Sequence, residues 1–181
     1  MSLIDRSLEG DETAFADLFH QHKNLVYKTA TLLLDDPHEA EDALQEVFVR
    51  VHGSLHSFDP ARGAFTTWLY RITVNHCLNR RRKQRRAVRS LDEGASTFRA
   101  NGHQRPPEHQ VETDETIRQA LGSLSEKLRA VVVLRYFWNL PYAEIADILE
   151  IPTGTVKSRL NLALANLRQA ADDAHREEVA R

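Results

Sequence analysis

A chain of 181 residues, 41% hydrophobic and 28% charged, is long enough for one ordinary domain or two small ones with a wet surface. Its net charge of −2 excludes a uniformly basic nucleic-acid binder, its single cysteine excludes an internal disulfide, and no run approaches the roughly 20 apolar residues of a membrane helix. Seven glycines, six prolines and apolar residues mostly three or four apart imply an all-α protein.

The first predicted helix runs from Asp11 to Leu34. It has an apolar stripe of Phe15, Leu18, Phe19, Val26, Ala30 and Leu33, and Asp11 caps its free amides. Asp36-Pro37-His38-Glu39 then reads as a helix start: Asp36 caps, Pro37 sits in the first turn and Glu39 reaches back. This second helix carries Ala40, Ala43, Leu44, Val47, Phe48 and Val51 inward and shows Glu39, Glu41, Asp42, Gln45 and Glu46 on its other face. Residues 57–64 form a loop by their Asp-Pro and Arg-Gly chemistry, with Arg62 near its end. A third helix begins at Phe65 and runs into Arg80, Arg81, Arg82, Lys83, Arg85, Arg86 and Arg89. These helices make one unit over roughly residues 8–86.

Residues 87–112 hold Gly94, Gly102, Pro106 and Pro107 with almost no apolar period, and read as a flexible linker. Helical periodicity returns over residues 113–175: one helix to Leu121, one from Ser125 to Phe137, then a shorter pair before a fraying tail. The architecture predicted is two small helical domains joined by a tether.

The average charge hides segregation. Six acids and no Lys or Arg lie between Asp35 and Glu46, whereas seven bases and no acid lie between Arg80 and Arg89. Sorting of this kind fits two faces with two partners. Aromatic residues Phe65, Trp68 and Tyr70 run straight into the basic stretch, a pairing suited to stacking on unpaired bases while following phosphates. Tyr142 to Leu160 fits a helix-turn-helix. Ile145 and Leu149 line the inner face of its first helix, Ala146 is small where the helices cross, Ile151 plugs the turn, and Pro152 and Gly154 shape it. Val156 and Leu160 anchor the second helix, leaving Thr155, Lys157, Ser158 and Arg159 for a major groove.

Three blocks, in order, resemble bacterial sigma factors of the extracytoplasmic-function group, part of the sigma-70 family. Glu41-Asp-Ala-Leu-Gln-Glu-Val-Phe48 is similar to the family's contact helix for core RNA polymerase. Phe65-Thr-Thr-Trp-Leu-Tyr-Arg-Ile-Thr-Val-Asn75 resembles the segment that melts and reads the −10 element. Gly154-Thr-Val-Lys-Ser-Arg-Leu160 looks like the start of the −35 recognition helix. The resemblance implies that Glu41, Asp42, Gln45 and Glu46 dock on the polymerase's basic clamp helices, with the flap as a second contact. It implies a −10 set of Arg62, Thr66, Thr67, Trp68, Tyr70, Arg71, Asn75, Asn79, Arg80 and Arg81, and a −35 set of Thr155, Lys157, Ser158 and Arg159. Within these, Trp68 shares helical spacing with Phe65 and Ile72, which fits core packing as well as base stacking; Tyr70 and Arg71 fall on other faces. An anti-sigma partner is also implied.

Some positions depart from the family's pattern. Leu162 and Leu164 stand where relatives often carry further bases, so fewer phosphate contacts and lower salt sensitivity are expected at the −35 element. Pro141 stands where a capping Ser or Thr is usual, shifting the expected helix start to Leu140, and Glu150 replaces a small residue before the turn.

The alternative reading is a stand-alone helix-turn-helix regulator, which would need a dimerisation or ligand-sensing domain that the N-terminal half does not display. An enzyme would need a carboxylate cluster or a nucleophile–base pair, and the acids instead follow a helix face. None of the nine histidines stands with Cys77 at zinc-ligand spacing, so no metal or cofactor is expected, and Cys77 itself reads as buried. The N-terminus lacks the basic start and apolar stretch of a secretory signal, and the expected compartment is the cytoplasm.

Overall fold

The computed structural model describes residues 2–91 and 115–179, and every regular element there is helical. A helix the periodicity missed, α1 (Leu3–Leu8), is held by reciprocal capping between Ser2 and Asp5 and buries no residue, which is why no apolar stripe announced it. Helix α2 (Glu12–Leu34) starts where predicted, with Asp11 accepting from the amides of Thr13 at 3.0 Å and Ala14 at 3.1 Å. It ends on Asp35 in the left-handed region, φ 66°. Asp36 accepts from His38 and Glu39 amides to start α3 (Pro37–Ser54), with Pro37 where a missing N–H costs nothing. The side chain of Glu39 does not reach back to that cap; it pairs with Arg80 on the neighbouring helix.

All six inward residues expected of α3 are buried. Two 3-10 turns, Leu55–Ser57 and Pro60–Arg62, lead to Gly63, whose φ of 143° strains any side-chain-bearing residue. Helix α4 (Phe65–Leu91) continues past the expected boundary at 86, so the segment read as linker begins inside a helix. Most of that segment, residues 92–112, lies outside the described residues.

The C-terminal region comprises α5 (Glu115–Gly122), α6 (Glu126–Val132) with a widened π turn at Val133–Phe137, α7 (Tyr142–Leu149) and α8 (Thr153–Val179). The last helix is the longest of this region rather than one of a short pair. Pro141 itself, extended at φ −68° and ψ 155°, precedes α7 without a side-chain cap, so the start does not shift to Leu140. Glu150 ends α7 in the left-handed region, φ 53°. Gly154 is not part of the bend: it sits in the first turn of α8, with nothing within 4 Å of where a Cβ would stand.

One apolar core runs through both regions, from Leu18 to Leu55 and Leu69 to Cys77 on one side and from Leu121 to Ala163 on the other. Leu33, Leu69, Leu134 and Ile145 are essentially inaccessible, each contributing about 1.5–3 kcal/mol relative to exposure. At the seam, Arg129 is 2% exposed and its Nη1 donates to the Leu33 carbonyl at 3.2 Å, a cation on the negative end of α2. Burial, then the neighbouring Arg81, lowers the Arg129 guanidinium to about 10. Arg118 pairs with Asp35 at 3.2 Å and Arg85 with Glu126 at 3.0 Å along the same seam. Among the described residues no helix is long and apolar enough to cross a membrane.

Candidate nucleic-acid interface

The phase of α4 sorts its side chains into three stripes. Thr67, Arg71, Asn75 and Asn79, four apart, share one face, and both asparagines are exposed. Leu69, Thr73, His76 and Arg80 turn toward α3. Tyr70, Val74, Cys77 and Arg81 turn toward α2 and the C-terminal region.

At the head of the first stripe lies a cleft of about 440 Å³, lined by the 57–64 turn, Thr67, Trp68 and Arg71. Phe58, Phe65 and Trp68 pack as an aromatic cluster with ring centroids 5.4–5.7 Å apart. Trp68 packs in that cluster and also lines the cleft. Arg62 is exposed at the rim and Thr66 half-buried nearby. The Nε of Arg71 is buried with no hydrogen-bond partner among the described residues, a charged donor lining a cleft.

Three residues of the predicted −10 set stand elsewhere. Tyr70 is 5% exposed, its ring 5.4 Å from that of Trp138, and burial, with the Glu144 carboxylate, pushes its hydroxyl well above the ordinary range. Arg80 forks onto three carboxylates of α3: Glu39, Asp42 at 3.0 Å and Glu46 at 3.1 Å. Arg81 is half-buried, and that burial lowers its pKa against the opposing Glu126 and Asp35 carboxylates. The signal was present in the spacing: Arg80 and Arg81 follow buried Leu69 and Tyr70 by about three turns and so share their faces. Arg82, Lys83 and Arg86 are exposed.

The acidic face of α3 is open to solvent at Asp42, Gln45 and Glu46, with Glu41 half-buried and Val49, one turn on, 73% exposed. Behind it, His76 is 4% exposed with its Nε2 3.7 Å from Glu46. Burial, then the Arg50 cation, holds its imidazole below the ordinary range, while Glu46 opposes. Cys77 is fully buried and its thiol is pushed up to about 12 by that burial.

In the helix-turn-helix, Ile145, Ile148, Val156 and Leu160 are buried between α7 and α8, and the Ile151 amide donates to the Ala146 carbonyl at 3.0 Å across the turn. Lys157 and Ser158 are exposed and Thr155 and Arg159 half-buried on the first turns of α8. Leu162 is 54% exposed and Leu164 half-buried.

The two regions touch where α7 meets the head of α4. Glu144 of α7 accepts from the Thr67 hydroxyl at 3.3 Å, and Asp147 of α7 lines the same cleft as Arg71. Lys28 lies over the Trp138 ring at 5.5 Å. Among the described residues no group of three His, Cys, Asp or Glu gathers to hold a metal.

Residues 18–87 match the family Sigma-70 region 2, and residues 114–167 match Sigma-70, region 4. The chain is 37% identical over 179 residues to the ECF RNA polymerase sigma factor SigW of Bacillus subtilis, covering 94% of this chain and 95% of that one. It is 34% identical over 182 residues to the ECF RNA polymerase sigma-E factor of Escherichia coli, covering 94% and 91%. Its fold is similar to CnrH in complex with the cytosolic domain of CnrY, with TM-score 0.68, 24% identity and coverage of 94% and 96%. It is also similar to the sigma factor RpoE in complex with the anti-sigma factor NepR from Bartonella quintana, with TM-score 0.71, 23% identity and coverage of 87% and 96%.

Proposed function

The chain belongs to the extracytoplasmic-function sigma factors of the sigma-70 family, and from that premise we propose how its surfaces divide the work. It binds core RNA polymerase and directs promoter-specific initiation, in a family that is not enzymatic. Asp42, Gln45 and Glu46, with Glu41 beside them, dock on the basic clamp helices, where opposite charge steers encounter and sets register. The C-terminal region takes the flap and the −35 duplex, with Thr155, Lys157, Ser158 and Arg159 at the groove. The cleft takes a base unstacked from the −10 element. Arg62, Thr67 and Trp68 form its walls with Thr66 beside them, Arg71 supplies a donor, and Asn75, Asn79, Arg82, Lys83 and Arg86 carry the strand and its phosphates onward.

Unstacking one base costs a few kcal/mol, which capture in a fitted cleft offsets. The observation that carries this reading is the cleft itself, aromatic-walled and opening onto the polar stripe of α4 with the unpartnered Arg71 Nε in its lining. Because Asp147 lines that cleft and Glu144 holds Thr67 beside it, reading the −10 element requires α7 to leave α4. An anti-sigma protein is the proposed partner in the closed arrangement, in keeping with the complexes formed by the similar folds. The protein is placed in the cytoplasm, where polymerase is.

Run-off transcription with core polymerase and a randomised promoter library tests the reading. Selective start sites that depend on both polymerase and the chain are expected. Transcripts whose distribution is unchanged by adding the chain would overturn it, as would sequence-selective DNA binding of equal strength without polymerase.

A further inference from the structure

Arg80 is the first base of the cationic run, yet its guanidinium is spent inside the protein. Nε donates to Glu39, Nη2 to Asp42 at 3.0 Å and Nη1 to Glu46 at 3.1 Å. The three carboxylates stand at helical spacing on one stripe of α3, and the arginine arises from α4, so the fork also ties the two helices together. Two of those acids, Asp42 and Glu46, belong to the face assigned above to the polymerase, and the inference rests on that assignment. The arginine itself is next in sequence to Asn79, the last exposed member of the stripe assigned to DNA. One cation thus sits in the surface assigned to the polymerase while standing one residue along α4 from the stripe assigned to DNA.

The exposures differ along the fork. Arg80 is 21% exposed and Glu39 27%, whereas Asp42 is 63% and Glu46 55%. Ion pairs whose carboxylates stand that far into water contribute little, so an incoming cation can replace the guanidinium on Asp42 and Glu46 at almost no cost. Once it does, two of the five N–H groups' acceptors are gone and Arg80 retains only its Glu39 tie. A long side chain then has phosphate as its best remaining partner, beside Lys83 one turn on, which is exposed already.

We propose that Arg80 is an internal counter-ion coupling the two bindings: cations of the polymerase take Asp42 and Glu46, and the freed guanidinium takes a promoter phosphate. Without polymerase the acids withhold one positive charge from DNA; with polymerase the full basic run is presented. The coupling is reciprocal, so bound promoter DNA also tightens the hold on polymerase.

The test uses the full chain without polymerase, titrated against a labelled DNA duplex of mixed sequence at several salt concentrations. Asp42→Asn/Glu46→Gln imitates capture of the two acids. It is expected to raise DNA affinity several-fold and to steepen the log–log salt slope by about 0.9, the signature of one added phosphate contact. In an Arg80→Gln background the same pair of substitutions is expected to give no steepening, while Arg80→Lys, which keeps the charge, restores it. An equal gain with and without Arg80 would mean that only two negative charges had been removed, and would overturn the proposal. An unchanged slope in the double variant would overturn it too. Binding of the double variant to core polymerase is measured separately. Undiminished binding there defeats the assignment of the acidic face and the coupling with it, whereas weakened binding beside an empty salt-slope cycle defeats the coupling alone.

Discussion

The two ends proposed to face DNA are built from the same material and finish in opposite states. At the start of α8, Lys157 and Ser158 stand in water on a helix whose inner face is already satisfied by α7. At the head of α4, Thr67, Trp68 and Arg71 line a cleft to which α7 adds Asp147, while Glu144 of α7 accepts from Thr67. The first end is complete within a short stretch of chain and presents itself. The second depends on which neighbour lies against it, and here that neighbour is the other reader. A region finished by its own local contacts stays available; one finished by a distant segment is open to regulation by moving that segment.

The seam between the regions is the place to break this contrast most forcefully. Arg129→Ala removes the donor to the Leu33 carbonyl and leaves a void at a fully enclosed position. The expected loss is on the order of 2–4 kcal/mol by thermal unfolding, with an expanded solution-scattering profile. A compact profile and an unmoved transition would show that the regions do not lean on this bridge.

The open end is tested by Lys157→Ala. Affinity for a −35 duplex is expected to fall by about 1 kcal/mol, and the log–log salt slope to flatten by about 0.9. A lower affinity with the old slope would move Lys157 from phosphate to base contact.

Within the N-terminal region, His76 makes stability depend on pH. Burial, helped by Arg50, Arg80 and Lys83 and opposed by Glu46, keeps the folded imidazole neutral below its ordinary range. The unfolded chain therefore binds the proton more readily. Stability from this group is fully present above about 6.5 and is lost as pH falls through that value toward the lower folded one. His22, also lowered by burial, adds in the same direction. Unfolding measured from pH 8 to 5 should show a slope of at most about 1.4 kcal/mol per pH unit from His76, and His76→Gln should flatten it. An identical slope in that variant would remove His76 as the source.

The smallest effect sharpens the C-terminal side. Gly154 is helical with open space around it, so Gly154→Ala is expected to stabilise the reader by about 0.5–1 kcal/mol in chemical denaturation. A destabilised variant would mean that the turn does need the glycine.

These cases also mark how much was legible beforehand. Helices α2 and α3, the buried set of α3, the caps at Asp11 and Asp36, and the paired helices around Ile151 were all readable, because each is settled by residues within a turn or two. Helix α1 was not, since a six-residue helix with no buried residue has no stripe to find. The turn was located, but Gly154, expected to shape it, sits in the first turn of α8, and the left-handed conformation falls to Glu150. Tyr70 and Arg81 belong to the −10 set that the resemblance implies, whereas they face the C-terminal region.

What the sequence determined by itself is most of the helices, their apolar faces, the helix-turn-helix motif and the membership in a family of promoter-recognition factors. All of these follow from hydrophobic period, capping chemistry and motif order, which act over short separations. Only the tertiary structure decided the pairing of faces: Arg80 with Glu39, Asp42 and Glu46, Tyr70 with Trp138, Arg129 with Leu33. The partners in these pairs stand far apart in the chain. A basic or aromatic side chain carries the same charge and shape whether it meets DNA or the protein's own carboxylates, and only the packing of one helix on another selects between them.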